Sequence, residues 1–97
     1  MHMAIRHYRL PANQVDEVVR RVDDLWLERA RQLPGFISYY VTKTGADRLT
    51  SIMVFAEQEQ EDKAVEASAE WVGANLMDQD VEFLEMWRGE VVVHGGA

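Results

Sequence analysis

Three adjacent side chains near the N-terminus are of the types that bind an anionic oxygen, donate a hydrogen bond and accept a proton. Arg6, His7 and Tyr8 stand together in the segment 3–10. A guanidinium can hold an anionic or phenolate oxygen, and a tyrosine hydroxyl can donate a hydrogen bond to it. An imidazole can act as a general base near neutral pH. Arg6 is therefore a candidate substrate-binding residue, His7 a candidate catalytic residue, and Tyr8 a candidate for both roles.

Each of these residues also has a simpler interpretation. In a strand, Arg6 and Tyr8 share one face, opposite Met3, Ile5 and His7. If Met3 and Ile5 pack under helices, Arg6 and Tyr8 face the interior between the sheet and a partner. There Arg6 either holds a ligand or pairs with an acid at the interface, and both interpretations stay open. A lone strand histidine more often bonds a backbone or carboxylate group.

Aromatic side chains farther along the chain can supply the apolar wall of a pocket. Tyr40, Trp71 and Trp87 are candidate substrate-binding residues because aromatic groups commonly line ligand sites. Their simplest alternative role is in a core or an interface. Tyr39 and Tyr40 point to opposite faces of one strand, so only one of them can line a given cavity.

Several kinds of site lack their sequence signatures. The chain has no cysteine, which excludes a disulfide scaffold, thiolate catalysis and cysteine-based metal sites. The histidines His2, His7 and His94 form no His-x-x-x-His or Glu-x-x-His pair. The glycines form no phosphate-binding loop, and no serine stands in a nucleophile elbow. We therefore expect no metal and no tightly bound cofactor.

Length and charge narrow the class of protein further. The 97 residues predict a single domain, residues 1–97. The net charge is −7, and eleven of the seventeen acidic residues fall in residues 49–97. Such a surface repels phosphate backbones and anionic lipids, so nucleic acid and membrane are not expected partners. The chain has no apolar run of about 20 residues and no secretory signal, which predicts a cytoplasmic protein.

Apolar periodicity predicts a first strand and a first helix. Residues 3–10 are strand-like and end at Pro11. Asn13, with Asp16 three residues later, has the pattern of a helix N-cap. An amphipathic helix of about five turns follows and ends at Pro34 and Gly35. Its apolar stripe consists of Val15, Val18, Val19, Val22, Leu25, Trp26, Ala30 and Leu33.

The rest of the chain predicts two strands, a helix and a last strand. In order these are a strand (36–43), a turn (44–47), a strand (48–56), a polar run (57–63) leading into a helix, a break (78–80), a strand (81–88) and a terminal strand segment (91–93). Alternation places Phe36 opposite Tyr39, and Phe83 and Trp87 opposite Met86. Glu85 then shares the face of Phe83 and Trp87.

The order β-α-β-β-α-β is that of a ferredoxin-like α+β fold. Its crossovers place both helices on one face of a four-stranded antiparallel sheet. The strands are apolar on both faces, and two helices can cover only one of them. We therefore expect a homodimer in which a second copy covers the other face and the two sheets form a dimeric α+β barrel.

Four segments resemble a known family. They are Leu33-Pro34-Gly35-Phe36, residues 51–55, Trp71-Val72 through Asn75-Leu76, and the tail 89–94. With the element order they resemble the antibiotic biosynthesis monooxygenase (ABM) superfamily of dimeric α+β barrels, over nearly the whole chain. The haem-degrading branch of that family uses a strand-1 asparagine and a histidine after its helical tryptophan, and this sequence has neither.

The resemblance implies a cofactor-independent monooxygenase that acts on a small aromatic or quinol-like substrate in a pocket between sheet and helices. In such chemistry the substrate loses a phenolic proton in an apolar pocket, and its anion supplies electrons to dioxygen. The alternative from another class is a non-catalytic dimeric barrel that serves as a ligand-binding or interaction module. An enclosed cavity with Arg6 or Tyr8 on its wall would distinguish the two.

Overall fold

Four strands and two helical runs make up the protein in a computed structural model that describes residues 1–96. The strands are β1 (His2–Arg9), β2 (Phe36–Gly45), β3 (Arg48–Phe55) and β4 (Glu82–Glu90). The first helical run comprises α1 (Val15–Arg21), a π-helical turn (Val22–Trp26) and α2 (Leu27–Arg31). The second is α3 (Gln58–Asn75). The strands form one antiparallel sheet in the order β2-β3-β1-β4.

This is the ferredoxin-like α+β fold that the sequence predicts, with both helical runs on one face of the sheet. The helix side of the sheet holds the core, in which Leu49, Met53 and Phe55 of β3 are buried. Met3, Ile5 and Ile52 lie on the opposite, open face, together with Tyr40 and Trp87. Tyr40 and Trp87 are 58% and 57% exposed, so that face is largely uncovered.

The helices begin differently from each other. Asn13 does not cap the first helical run, because it lies inside a 3-10 turn (Ala12–Gln14) and no side chain caps α1. The prediction of an Asn13 cap is therefore wrong. The α3 helix begins with a capping box, in which the Gln60 side chain accepts a hydrogen bond from the Glu57 backbone N–H (3.0 Å). The polar run 57–63 thus forms the first turns of that helix.

Gly35 connects the first helical run to β2 at a position that only glycine fits. Its φ angle is +80°, in the left-handed region that side chains disfavour. A Cβ atom there would lie 1.8 Å from the Gln60 amide oxygen. The Gly35 carbonyl accepts a hydrogen bond from the Ala56 N–H (2.8 Å), which ties this turn to the end of β3.

Two bulges correct the predicted faces of the strands. A register shift between Phe36 and Ser38 puts Phe36 on the same face as Tyr39, toward the helices. A second shift, where β4 passes His7 and Tyr8, puts Phe83 against Tyr8 on the helix side. Strict alternation is wrong at both places because a bulge adds one residue to one strand. Glu85 consequently shares its face with Trp87 and not with Phe83.

The C-terminal tail also differs from the prediction. Residues 91–93 are not a strand, although the Val91 N–H donates to the Met1 carbonyl (2.8 Å) and so extends the pairing by one bond. Val92 and Val93 are more than 80% exposed. Among residues 1–96, no helix combines the length and apolarity that a bilayer crossing needs.

Candidate functional site

A narrow cavity lies between the helices and the sheet. Its free volume is about 40 Å³, and it has an opening to solvent. The polar groups on its wall are the side chains of Tyr8, Tyr39, Ser51 and Ser68. The apolar wall consists of Leu10, Val18, Val22, Trp26, Val41, Leu49, Trp71, Val72, Leu76 and Val81. Hydrophobic lining with a few convergent polar groups is typical of a small-molecule site.

Arg6 lies beside this cavity under the helices, and not on the face that a partner would cover. Its Nη1 atom donates to Ser68 Oγ of α3 at 2.7 Å. Its side chain approaches the rings of Tyr8 and Phe83, with centroid distances of 5.4 and 5.3 Å. The expectation that Arg6 and Tyr8 face a partner is therefore wrong. Met3 and Ile5, which that expectation places under the helices, lie on the open face.

No carboxylate compensates the charge of Arg6 within the part of the chain described. The residue is 7% exposed, and it makes none of the ion pairs among residues 1–96. Its Nε atom is buried without a hydrogen-bond partner. Its compensation comes from the Ser68 hydroxyl and the two aromatic rings. A buried guanidinium without a carboxylate partner is costly, because its desolvation is not offset by an ion pair.

The tyrosines of the cavity are protonated donors. Burial raises the pKa of Tyr8, and the charge of Arg6 opposes that shift. Burial also raises the pKa of Tyr39, and repulsion from Tyr8, once Tyr8 is ionised, adds to that shift. Arg6, the Trp26 indole and the Ser51 hydroxyl act in the opposite direction on Tyr39. Both hydroxyls therefore keep their protons at neutral pH and can donate hydrogen bonds to a ligand.

His7, Tyr40 and Trp87 do not reach this cavity. His7 lies on the open face, where its Nδ1 is 3.1 Å from Thr50 Oγ1 and its ring meets the ring of Trp87 edge-on at 4.8 Å. Tyr40 is also on the open face, opposite Ile52. The structure thus brings Arg6, Tyr8 and Trp71 together, and it separates His7, Tyr40 and Trp87 from them by the thickness of the sheet.

Three wall residues were not singled out from the sequence as parts of a site. Trp26 has the spacing of a core stripe residue, and it is a core residue, 1% exposed, whose indole also borders the cavity. Tyr39 reaches the helix side because of the bulge before it. No sequence pattern marks Ser68, because its role depends on a hydrogen bond from Arg6, which is distant in the sequence. Within residues 1–96, no group of three or more His, Cys, Asp or Glu side chains is arranged for metal binding.

Comparison with known proteins identifies the fold. No protein-family model matches the sequence, and no curated protein matches it significantly. Among solved structures, HapK from Hahella chejuensis is 21% identical with a TM-score of 0.81, over 100% of this chain and 98% of that one. A candidate antibiotic biosynthesis monooxygenase from Deinococcus radiodurans is 12% identical with a TM-score of 0.79, over 100% and 98% of the two chains.

A third similar structure is a dimeric ferredoxin-like protein from an uncultured marine organism. It is 15% identical with a TM-score of 0.78, over 99% of this chain and 98% of that one. At these identities the likeness concerns the fold, and function has to be argued from the site. The chain has a ferredoxin-like α+β fold, which it shares with candidate antibiotic biosynthesis monooxygenases of known structure.

Proposed function

We propose that the cavity binds the anion of a small phenol or quinol, and that the protein is a cofactor-independent monooxygenase for it. The observation that carries the proposal is Arg6, a buried cation without a carboxylate partner beside a mostly apolar cavity. The fold is shared with a candidate antibiotic biosynthesis monooxygenase, which supports the same class of reaction.

The electrostatics favour an ionised ligand. Taking a guanidinium out of water costs free energy that an ion pair in the same place would offset. A phenolate oxygen next to Arg6 supplies that missing negative charge, and Tyr8 can donate a second hydrogen bond to it. Because the wall is mostly apolar, the attraction is stronger there than in water. The site therefore stabilises the phenolate over the neutral phenol.

The reaction needs only this anion and dioxygen. A phenolate is electron-rich, and it can transfer electrons to dioxygen and then combine with the reduced oxygen at a ring carbon. One oxygen atom becomes a ring carbonyl and the other leaves as water, so that a phenol and dioxygen give a quinone and water. The substrate is oxidised by four electrons, and dioxygen accepts all four. The apolar wall excludes bulk water from the reactive intermediates.

The cavity wall supplies no general base to remove the phenolic proton of the substrate. The wall residues described include neither a carboxylate nor an imidazole, and His7 is on the other face of the sheet. We therefore expect the substrate to enter as an anion or to lose its proton to solvent as it binds near Arg6. A phenol or enol that is already acidic in water suits this site best.

The size of the cavity requires movement of its wall. About 40 Å³ is free, whereas a dry cavity that binds a benzene ring measures about 150 Å³. Val18 and Val22 of the first helical run and Leu76 and Val81 beyond α3 are part of its aliphatic wall. Separation of these aliphatic groups would admit a ring without disturbing Arg6 and Tyr8.

The small volume also favours a second candidate function. A protein whose cavity stays closed would act through its open sheet face, as a non-catalytic dimeric barrel that serves as an interaction module. We propose in either case that a second copy covers that face, since Trp87 and Tyr40 are more than half exposed there. A protein of the same fold is dimeric. The two candidate functions differ in whether a phenol enters the cavity.

Oxygen consumption with a panel of phenols and hydroquinones tests the proposal. We expect turnover of at least one acidic phenol, with one dioxygen consumed per quinone formed. Arg6→Met should abolish it, and Arg9→Met, at an exposed arginine of the same strand, should leave it unchanged. Absence of both turnover and phenol binding across the panel would overturn the proposal in favour of the interaction module.

A further inference from the structure

We propose that the ligand of this cavity carries a second oxygen, a neutral carbonyl, which accepts a hydrogen bond from the indole N–H of Trp26. The inference rests on the proposed function of the cavity, and it narrows the substrate class. The expected compound is a small aromatic ring or quinone with one ionised oxygen for Arg6 and one carbonyl oxygen for Trp26.

The first observation is that the indole N–H of Trp26 has no partner. The residue is 1% exposed and borders the cavity, and its Nε1 atom is buried without a hydrogen bond. An indole nitrogen can only donate, so it needs an acceptor that the neighbouring side chains do not supply in hydrogen-bond geometry. Buried donors are nearly always satisfied in folded proteins, and an exception calls for an explanation.

The second observation is that one unsatisfied donor lies on a residue of the cavity wall and another on a residue bound to that wall. In residues 1–96 the buried side-chain nitrogen and oxygen atoms without partners are Arg6 Nε, Trp26 Nε1 and His7 Nε2. His7 is on the open face, whereas Trp26 lines the cavity. Arg6 lies behind the wall, where it donates a hydrogen bond to the wall residue Ser68 (2.7 Å). One charged donor and one neutral donor complement a ligand that has one anionic oxygen and one neutral oxygen as acceptors.

The local backbone directs Trp26 into this position. Trp26 is the last residue of the π-helical turn (Val22–Trp26), and its neighbour Leu25 is 51% exposed. π turns are rare, and they occur frequently at functional sites. The indole packs against Trp71, with ring centroids 5.9 Å apart, so its orientation is held by a second wall residue.

Tyr39 offers the competing explanation for the indole N–H. The Trp26 indole N–H points to the Tyr39 hydroxyl closely enough to lower the pKa of Tyr39 as a hydrogen-bond donor does, although the pair falls outside strict hydrogen-bond geometry. A small shift could join them and satisfy Trp26 within the protein. The two explanations differ in one respect. If the indole N–H binds the ligand, substitution of Trp26 weakens binding of ligands that carry a carbonyl; if it binds Tyr39, the carbonyl makes no difference.

A pair of probes that differ only in that carbonyl tests the inference. We choose 4-hydroxybenzaldehyde and 4-methylphenol, which have the same ring and the same phenol oxygen. Binding of each is measured by calorimetry with the unmodified protein, Trp26→Phe and Arg6→Met. Each probe is compared with itself across the variants, so the difference in acidity between the probes cancels.

Trp26→Phe should weaken binding of the aldehyde by about three- to tenfold, the size of one neutral hydrogen bond. The same substitution should weaken binding of 4-methylphenol by less than about twofold. A loss of the same size for both probes is a general effect on the cavity, and only the additional loss for the aldehyde counts as the hydrogen bond. Arg6→Met should weaken both. An equal effect of Trp26→Phe on the two probes would overturn the inference and leave the proposed function standing. Failure of both probes to bind, while another phenol of the panel binds or turns over, would likewise overturn the inference alone, and only failure of the whole panel would overturn both.

A second measurement covers the case in which Trp26→Phe does not fold. The indole N–H resonance of Trp26 can be assigned in the unmodified protein by elimination, with Trp71→Phe and Trp87→Phe. We expect the aldehyde to shift this resonance downfield and 4-methylphenol to leave it nearly in place. A resonance that responds alike to both probes assigns the indole N–H to Tyr39 or to the core, against the inference.

Discussion

Arg21 of α1 binds Asp78, beyond the end of α3, through two parallel hydrogen bonds. The Nη1–Oδ1 distance is 2.6 Å and the Nη2–Oδ2 distance is 2.9 Å. The same guanidinium donates to Glu17, one turn earlier in α1, and to the Asn75 carbonyl. It thereby links the first helical run to the end of α3, next to the cavity residues Val22 and Leu76.

This cluster makes stability depend on pH in the acid range. Hydrogen bonds from Arg20 and Arg21 lower the pKa of Glu17 to about 2, and Arg21 holds the pKa of Asp78 below its usual range. A lowered pKa adds stability above the ordinary pKa of the carboxyl, and that stability is lost as the pH falls through the folded-state value. We expect the melting temperature to fall progressively from pH 4.5 to about 2.

Glu17→Gln should lower the melting temperature at pH 7 and reduce its loss on acidification. Asp16→Asn is the matched control, because Asp16 is the neighbouring first-turn acid and makes none of these side-chain contacts. Thermal unfolding of the three proteins between pH 7 and pH 2 measures the difference. Parallel curves for Glu17→Gln and the unmodified protein would contradict the prediction.

Removal of Arg88 should be strongly destabilising. Glu61 is 1% exposed in α3, and the Arg88 guanidinium binds it from β4, with an Nε–Oε1 distance of 3.0 Å. Arg88→Leu leaves a buried carboxylate unpaired, which costs about 3–5 kcal/mol. Arg9→Leu breaks an exposed pair with Glu82 and should cost about 1 kcal/mol or less. Urea unfolding of both variants tests this order, and similar losses would contradict it.

A charge on the open sheet face should prevent the proposed dimer. Trp87→Glu places a carboxylate where a second copy would cover the sheet, and burial of an unpaired charge opposes association. Leu25→Glu is the control, because Leu25 is similarly exposed (51%) but belongs to the first helical run. In sedimentation, we expect a monomer for the first variant and a dimer for the second. A monomeric unmodified protein at micromolar concentration would refute the dimer itself.

The tail should contribute to the same association. Val92 and Val93 are exposed apolar residues beside Met3, Ile5 and Trp87, which border the same shallow depression. A second copy that packs on this face would cover them and gain from their burial. Deletion of residues 92–97, which keeps the Val91–Met1 hydrogen bond, should therefore weaken dimerisation more than it lowers the stability of the monomer. Unchanged sedimentation would exclude the tail from the interface.

The fold could be predicted because hydrophobic periodicity marks each element. The faces of β3 are a clear case, since no bulge interrupts its pairing with β1, and Leu49, Met53 and Phe55 are all buried on the helix side. The faces of β2 and β4 could not be predicted in full, because a bulge reverses the alternation and no residue type near Phe36 or Phe83 signals one.

The candidate site could be predicted only in part for a related reason. Arg6 and Tyr8 share a face in any strand, but which face the helices cover is decided by contacts distant in sequence, such as Arg6 with Ser68. The residues around Arg6 did not show which way it points, since Ile5 and Ala4 are both apolar. The chemistry of His7 makes it a candidate catalytic residue, but its location on the open face depends on the same contacts distant in sequence.

The π-helical turn (Val22–Trp26) has a consequence for sequence alignment. A π turn holds about one residue more than an α turn, and each helical residue advances the side-chain direction by about 100°. A related chain with an unbroken α-helix here would align with a one-residue gap inside 22–26. An alignment without that gap would pair Trp26 with a residue on a different side of the helix. The residue that is structurally equivalent to Trp26 would then stand in the neighbouring column of the alignment.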